Sequence, residues 1–292
     1  MNRKGIILAG GKGTRLYPLT KSISKQMLPI YDKPMIYYPL TTLMLCGIKE
    51  ILIITTPRDE EIFKNLLGNG FSWGIKIQYK IQESPDGLAH ALLIAEDFLN
   101  GSPSALILGD NLFHGNDLQK YLSPSKKDEK GAVIFTYPVS NPSRYGIVEF
   151  DLNGNVTSIQ EKPKIPKSRY AITGLYFFDR NACKLARELK PSSRGELEIT
   201  DLINKYLHSD KLKVELFGRG MAWFDTGKFD SLHEASSYVR TLEKRQGLKL
   251  GCPEEVAWRL GWISDQELSI LIQDMKDSEY GEYLSTLISQ QA

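Results

Sequence analysis

Gly10-Gly11-Lys12-Gly13-Thr14-Arg15 sets glycines, a hydroxyl and two cations directly behind the apolar run Gly5-Ile6-Ile7-Leu8-Ala9. Such a loop lets phosphate oxygens approach main-chain N–H groups closely, with a guanidinium in reach. A tight strand-to-helix turn with solvated cations would satisfy the glycines alone equally well. Two better-known phosphate loops are excluded by spelling. A dinucleotide fingerprint counted from Gly11 and Gly13 needs a third glycine where Leu16 stands, and a P-loop needs Ser or Thr after Gly11-Lys12, where Gly13 stands. Lys25 follows ten residues after Arg15, with Pro29 behind it. Asp110 and Asp225 each close an apolar run, and aspartates at strand ends serve more often as caps or turn formers than as ligands.

The elements that must position these residues alternate through the first half of the chain. A buried strand over 4–9 is followed by a helix on Ile36, Leu40, Leu43 and Met44 that stops at Cys46-Gly47. A strand over 49–56, a helix over 58–67, a strand alternating through Ile75, Ile77, Tyr79 and Ile81, a helix over 88–99 and a strand over 104–111 come next. Strands separated by helices imply a parallel sheet with right-handed crossovers, which binds ligands beyond the carboxyl ends of its strands. Gly10, Gln82 and Asp110 then converge on one edge. Further on, strands over 132–135 and 170–178 flank a hairpin, 147–151 with 156–161, turned by Asn153-Gly154, so the sheet becomes mixed. Past 180 the pattern is mainly helical: a face on 199–207, strands over 213–217 and 222–227, and apolar stripes over 228–246, 253–261, 264–275 and 280–289, the third opened by a capping box at Ser264 and Glu267. Ser123 to Lys130 reads as an exposed charged loop.

Composition limits the class of function. A chain of 292 residues, 41% hydrophobic, can bury one large core, while a net charge of +2 gives no reason to expect nucleic acid or a membrane as the main partner. Cys46, Cys183 and Cys252 are odd in number and widely spaced, which speaks against a disulfide framework or zinc and fits a reducing cytoplasm. The N-terminus leads straight into the first strand, leaving no room for a signal peptide, and no apolar run reaches about 18 residues. His90, His114, His208 and His233 have no metal spacing.

The spelling Gly-Gly-x-Gly-Thr-Arg-Leu with Lys25 and Pro29 resembles the sugar-nucleotide pyrophosphorylases. Its continuation, Lys25-Gln26-Met27-Leu28-Pro29-Ile30-Tyr31-Asp32-Lys33-Pro34, is similar to that of the glucose-1-phosphate thymidylyltransferases. The likeness extends through Gly195-Glu196-Leu197-Glu198-Ile199-Thr200-Asp201 and Arg245-Gln246-Gly247-Leu248-Lys249 to nearly the whole chain. It implies an α/β fold: a Rossmann-like three-layer sandwich on a mixed, mostly parallel sheet, with a small antiparallel sugar-binding region and C-terminal helices. The expected division is a core over 1–227, with a nucleotide half to about 112 and a sugar half from about 131, and a helical assembly and regulatory region over 228–292.

The activity implied is Mg²⁺-dependent transfer from dTTP to glucose 1-phosphate, giving dTDP-glucose for deoxysugar and cell-surface polysaccharide synthesis. Leu8, Ala9, Gly10, Gly11, Gly13, Thr14, Arg15, Lys25, Gln26, Gln82, Pro85 and Gly87 are the nucleotide contacts carried over. Leu108, Asn111, Tyr145, Gly146, Glu161, Lys162, Gly174, Tyr176, Arg194 and Trp223 are those for the sugar phosphate. Asp110 and Asp225 match the metal ligands; with Arg15, Lys25 and Lys162 they form the catalytic set. A homotetramer regulated at a second site around Lys249, Glu255 and Arg259 is also implied. Lys12 departs from a usual serine and His90 from a usual glutamine. A relative using another base or sugar would share the phosphate and metal residues, and intact Lys25, Asp110 and Asp225 weigh against a non-catalytic sugar-nucleotide sensor.

Overall fold

A computed structural model describes residues 2–122 and 130–289; the expected loop at 123–129 lies outside them. The first half comprises β1 (Lys4–Leu8), the small ribbon β2 (Pro29–Ile30) and β3 (Lys33–Pro34), α1 (Tyr37–Leu45), β4 (Glu50–Thr55), α2 (Glu60–Leu67), β5 (Lys76–Ile81), α3 (His90–Ile94), α4 (Glu96–Leu99), β6 (Ser104–Leu108), β7 (Asn111–His114) and α5 (Leu118–Leu122). The second comprises β8 (Ala132–Pro138), β9 (Gly146–Phe150), β10 (Val156–Glu161), β11 (Tyr170–Phe178), α6 (Ala182–Arg187), α7 (Ile199–His208), β12 (Leu212–Leu216), β13 (Ala222–Asp225), α8 (Phe229–Gln246), α9 (Pro253–Arg259), α10 (Asp265–Met275) and α11 (Glu279–Ser289).

One mixed sheet holds the molecule together. β6, β1, β4 and β5 run parallel side by side, and β11 adds antiparallel to β6. Along β1 and β4 alternate residues feed opposite faces, Ile7, Ile51 and Ile53 to one core and Ile6, Leu52 and Ile54 to the other. Both faces are therefore apolar, which is why these strands read as continuous hydrophobic runs.

β11 is the strand that joins the halves. Leu175–Phe178 pair with β6, whereas Tyr170 and Ala171 pair with β9, and β8 lines its other edge with a register shift between Ile172 and Tyr176. The sheet thus forks beside Ile172–Gly174, between the end of β6 and the start of β9.

Two sequence expectations are corrected. The strand expected over 104–111 stops at Leu108: a Cβ on Gly109 would lie 3.0 Å from the Leu8 carbonyl oxygen, and the chain turns there so that β7 pairs with β13 in a separate ribbon. The helix expected over 88–99 is broken at Ala95 into α3 and α4. The C-terminal stripes also find partners inside the chain. Trp258, Leu268, Ile272, Leu284 and Leu287 are buried in the same core as α1, and Trp73 Nε1 donates to Glu254 on α9 at 3.1 Å. The stripes expected of these helices are therefore largely buried within the chain itself.

Candidate active site

The glycine loop leaves β1 in a conformation that L side chains rarely adopt, with φ of 98° at Gly11 and 61° at Gly13. Thr20 Oγ1 donates to the Gly13 carbonyl at 2.7 Å and fixes the return of the chain. Thr14–Leu16 is a single 3-10 turn, so the loop presents its own N–H groups without a long helix behind it. Thr14 and Arg15 are exposed beside it. Gln26 is buried, its Oε1 accepting from Ser24 Oγ at 2.7 Å and its Nε2 donating to the Gly10 carbonyl at 3.5 Å, so it serves as a brace under the loop.

Opposite this loop the turn after β6 delivers Asp110, which pairs with Lys25. Asn111 Nδ2 donates to Asp110 Oδ1 at 3.1 Å, while Asn111 Oδ1 accepts from Gly174 N at 3.1 Å and Trp223 Nε1 at 2.6 Å. One amide therefore ties the acidic turn to both β11 and β13. Only glycine fits at 174, since a Cβ there would sit 2.5 Å from Asn111 Oδ1.

β13 brings Asp225 alongside. Thr226 Oγ1 donates to the Asp110 carbonyl at 2.7 Å, and a Cβ on Gly227 would lie 3.1 Å from Asp225 Oδ1 and 3.8 Å from Asp110 Oδ2. Both carboxylates thus face one small space. Burial pushes the Asp225 carboxyl above the ordinary range and the Asp110 charge adds to it, with Lys25 and Arg144 offsetting only part. Burial acts on Asp110 too, but Lys25 and the Asn111 amide outweigh it and hold the carboxyl low. Among the described residues no group of three or more His, Cys, Asp or Glu is placed to hold a metal. The donor set is instead a carboxylate pair, which fits a hard divalent ion that takes its remaining ligands from phosphate and water.

The fork in the sheet opens into a cavity of about 180 Å³. Leu108, Asp110, Asn111, Tyr145, Gly146, Glu161, Lys162, Gly174, Tyr176, Trp223 and Asp225 line it, with Arg15 at its edge. Lys162 follows β10 with φ of 42° and its Nζ 3.0 Å from Glu161, a strained backbone of the kind that clusters at ligand clamps. Arg194 does not line the cavity. Its guanidinium is held by Glu198 at 2.7 Å and reaches Glu161 at 3.5 Å, so it stands behind the wall. Arg144 was missed by sequence reasoning. It lies 3.7 Å from Asp225 and over the Tyr145 ring, and its signal was the Ser143-Arg144-Tyr145-Gly146 turn opening β9.

A second cleft of about 170 Å³ adjoins the loop, lined by Leu8, Gly10, Gly11, Gln82, Pro85, Gly87, Leu88 and Glu196. Leu88 borders both clefts, so the two are neighbours. Lys249, Glu255 and Arg259 lie elsewhere. They line a third cavity of about 370 Å³ between α1, α9 and the turn after α8. Lys249 pairs with Asp32, and Glu255 Oε1 and Oε2 accept from Arg259 Nε at 2.7 Å and Tyr283 OH at 2.6 Å.

Residues 4–241 match a family model described as nucleotidyl transferase. A glucose-1-phosphate thymidylyltransferase of Xanthomonas campestris pv. campestris (strain B100) is 55% identical over 99% of this chain and 98% of its own length. The protein of that name from Mycobacterium tuberculosis (strain ATCC 25618 / H37Rv) is 53% identical over 98% of this chain and 99% of its own. Among solved structures, a UDP-glucose pyrophosphorylase complexed with UDP-glucose superposes with a TM-score of 0.73 at 26% identity, covering 83% of this chain and all of that one. A Bacillus anthracis protein solved with sucrose gives 0.76 at 39% identity, covering 82% of this chain and 96% of that one. With a family model spanning most of the chain and relatives matching more than half of their residues end to end, the protein belongs to the nucleotidyl transferase family, among its glucose-1-phosphate thymidylyltransferases.

Proposed function

We propose that the protein joins dTTP to α-D-glucose 1-phosphate, giving dTDP-glucose and pyrophosphate for deoxysugar and cell-surface polysaccharide synthesis in the cytoplasm. The observation that carries this reading is a pair of neighbouring clefts with Leu88 in the wall of both: Gln82, Pro85 and Gly87 border the first, and Glu161, Lys162 and Tyr145 border the second, which also holds the acidic pair Asp110 and Asp225. A base and ribose in the first would set the α-phosphate beside Lys25, and a sugar in the second would present its phosphate to the same point.

The reaction is in-line displacement. An oxygen of glucose 1-phosphate forms a bond to the α-phosphorus while the bond from that phosphorus to the bridging α–β oxygen breaks, and pyrophosphate leaves with the electron pair. No side-chain base is required, because a phosphate monoester with a second pKa of about 6 is already mostly dianionic at neutral pH. The loop N–H groups, Thr14 and Arg15 hold the triphosphate, and Lys25 balances charge growing on the α-phosphate. Lys162 holds the sugar phosphate, with Arg194 anchoring Glu161 from behind. Asp110 and Asp225 would hold Mg²⁺, which supplies charge neutralisation between two anionic substrates.

A second reading concerns regulation. The cavity at Lys249, Glu255 and Arg259 is separate from the reaction site, and Leu248 and Leu260 on its wall are 48% and 41% exposed, apolar surface that a second subunit would cover. We assign it to a nucleotide-linked end product bound within a homotetramer. Pyrophosphate release assayed with each nucleoside triphosphate against a panel of sugar 1-phosphates tests the main reading: turnover should be highest with dTTP and glucose 1-phosphate, and equal turnover with any other pair would overturn it.

A further inference from the structure

His90 has no part in the reaction described above, yet its ring touches the side chain proposed to read the base. Gln82 follows β5, and its Nε2 lies 3.4 Å from the Gly87 carbonyl oxygen and 3.2 Å from His90 Nδ1. A carbonyl oxygen can only accept, so the Gly87 contact fixes which end of the Gln82 amide is nitrogen. The other end, Oε1, faces Gly10 and lies 3.6 Å from where a Cβ on that glycine would stand. Gly10 and Gln82 wall the same cleft. His90 Nδ1 completes the arrangement only as an acceptor, in the neutral tautomer with its proton on Nε2. The Gly87 bond alone is long and leaves the amide free to turn.

We infer that His90 is a positioning residue for base selection, which holds the Gln82 amide with its oxygen toward the cleft. The cleft then offers an acceptor. It pairs with a pyrimidine that carries a ring N3–H, as thymine and uracil do, and opposes cytosine, whose N3 is itself an acceptor. Two acceptors facing each other leave both unpaired, and such mismatches are what polar sites discriminate against most strongly. If the amide could turn, its NH₂ would meet cytosine N3 and the discrimination would fade. Asp86 Oδ2 lies 3.5 Å from the same Nδ1. The inference rests on the proposed contact between Gln82 and the base.

The test compares initial rates with dTTP and dCTP for the wild type, Gln82→Ala, His90→Leu and His90→Gln. His90→Leu should lower the dTTP-to-dCTP ratio of kcat/KM by about tenfold, mostly through KM. His90→Gln returns an acceptor and should hold the ratio within about twofold. A His90→Leu enzyme with the wild-type ratio, or one slowed equally with both nucleotides, overturns the inference when Gln82→Ala has lost discrimination. If Gln82→Ala keeps the wild-type ratio, the base contact itself is wrong and the inference falls with it.

Discussion

Lys25 and Lys162 carry the same charge but meet different oxygens in the proposed reaction, so they should fail differently. Lys25 sits at the acidic pair, where charge grows as the α-phosphorus is attacked, and Lys25→Ala should lower kcat more than it raises the KM for dTTP. Lys162 lines the sugar cavity, and Lys162→Ala should raise the KM for glucose 1-phosphate first. Steady-state kinetics that put the Lys162→Ala effect on dTTP alone would reverse this division. For the acidic pair itself, Asp110→Asn and Asp225→Asn should each cost about 10²-fold or more in kcat with the thermal unfolding midpoint near that of the wild type. Chelator should silence the wild type in the same assay, and full turnover in excess chelator would remove the metal from the scheme. The two carboxyls differ in one respect. Burial and the Asp110 charge raise the Asp225 carboxyl, whereas that of Asp110 is held low beside Lys25.

Among the elements, the junction of β8, β11, α6 and α7 depends on Asp179. Its carboxylate accepts from Gly131 N at 3.0 Å, Asn181 N at 2.9 Å and the buried Tyr206 OH at 2.7 Å. Burial alone would raise this carboxyl, but these donors together bring it below 3.8. A carboxyl depressed by folding contributes stability that is complete above its unfolded value and is lost as the pH falls through the folded one. Asp179→Asn should therefore cost about 1–3 kcal/mol at pH 7, and urea titrations should show the deficit shrinking below about pH 4. A deficit equal at pH 7 and pH 3 would mean that shape, not charge, does the work at this junction. The central strands were legible in the sequence, because a strand buried on both faces has to be apolar along its middle, as β1, β4 and β6 are. Where β6 ends was not legible: Gly109 is turned by the close approach of the Leu8 carbonyl, a contact about a hundred positions away along the chain. The phosphate loop announced itself through its glycines, whereas Asp110 and Asp225 became a pair only by resemblance, since nothing local to either distinguishes it from a turn former. Arg144 faces Asp225 only because the turn before β9 lies beside the end of β13, and no spacing rule carries that.

At the scale of the molecule, the reaction site and the Lys249 cavity are distinct, and the regulatory reading requires them to communicate. Coupling is a difference in affinity between two states, so Arg259→Ala should relieve inhibition by a deoxythymidine-linked deoxysugar and leave uninhibited kcat nearly unchanged. A monomer by light scattering, or inhibition purely competitive with dTTP and indifferent to Arg259, would remove that reading without touching the chemistry. β11 bears on how the protein can be dissected. Because this strand hydrogen-bonds to β6 through Leu175–Phe178 and to β9 through Tyr170 and Ala171, it belongs to both halves at once. A nucleotide-binding fragment cut from the chain before β8 would keep β6 but lose its neighbour, leaving an apolar, unprotected strand edge of the kind that recruits other chains. Such a fragment is expected to precipitate on its own and to return to solution when co-expressed with the remainder of the chain, so the two proposed substrate clefts rest on one indivisible unit.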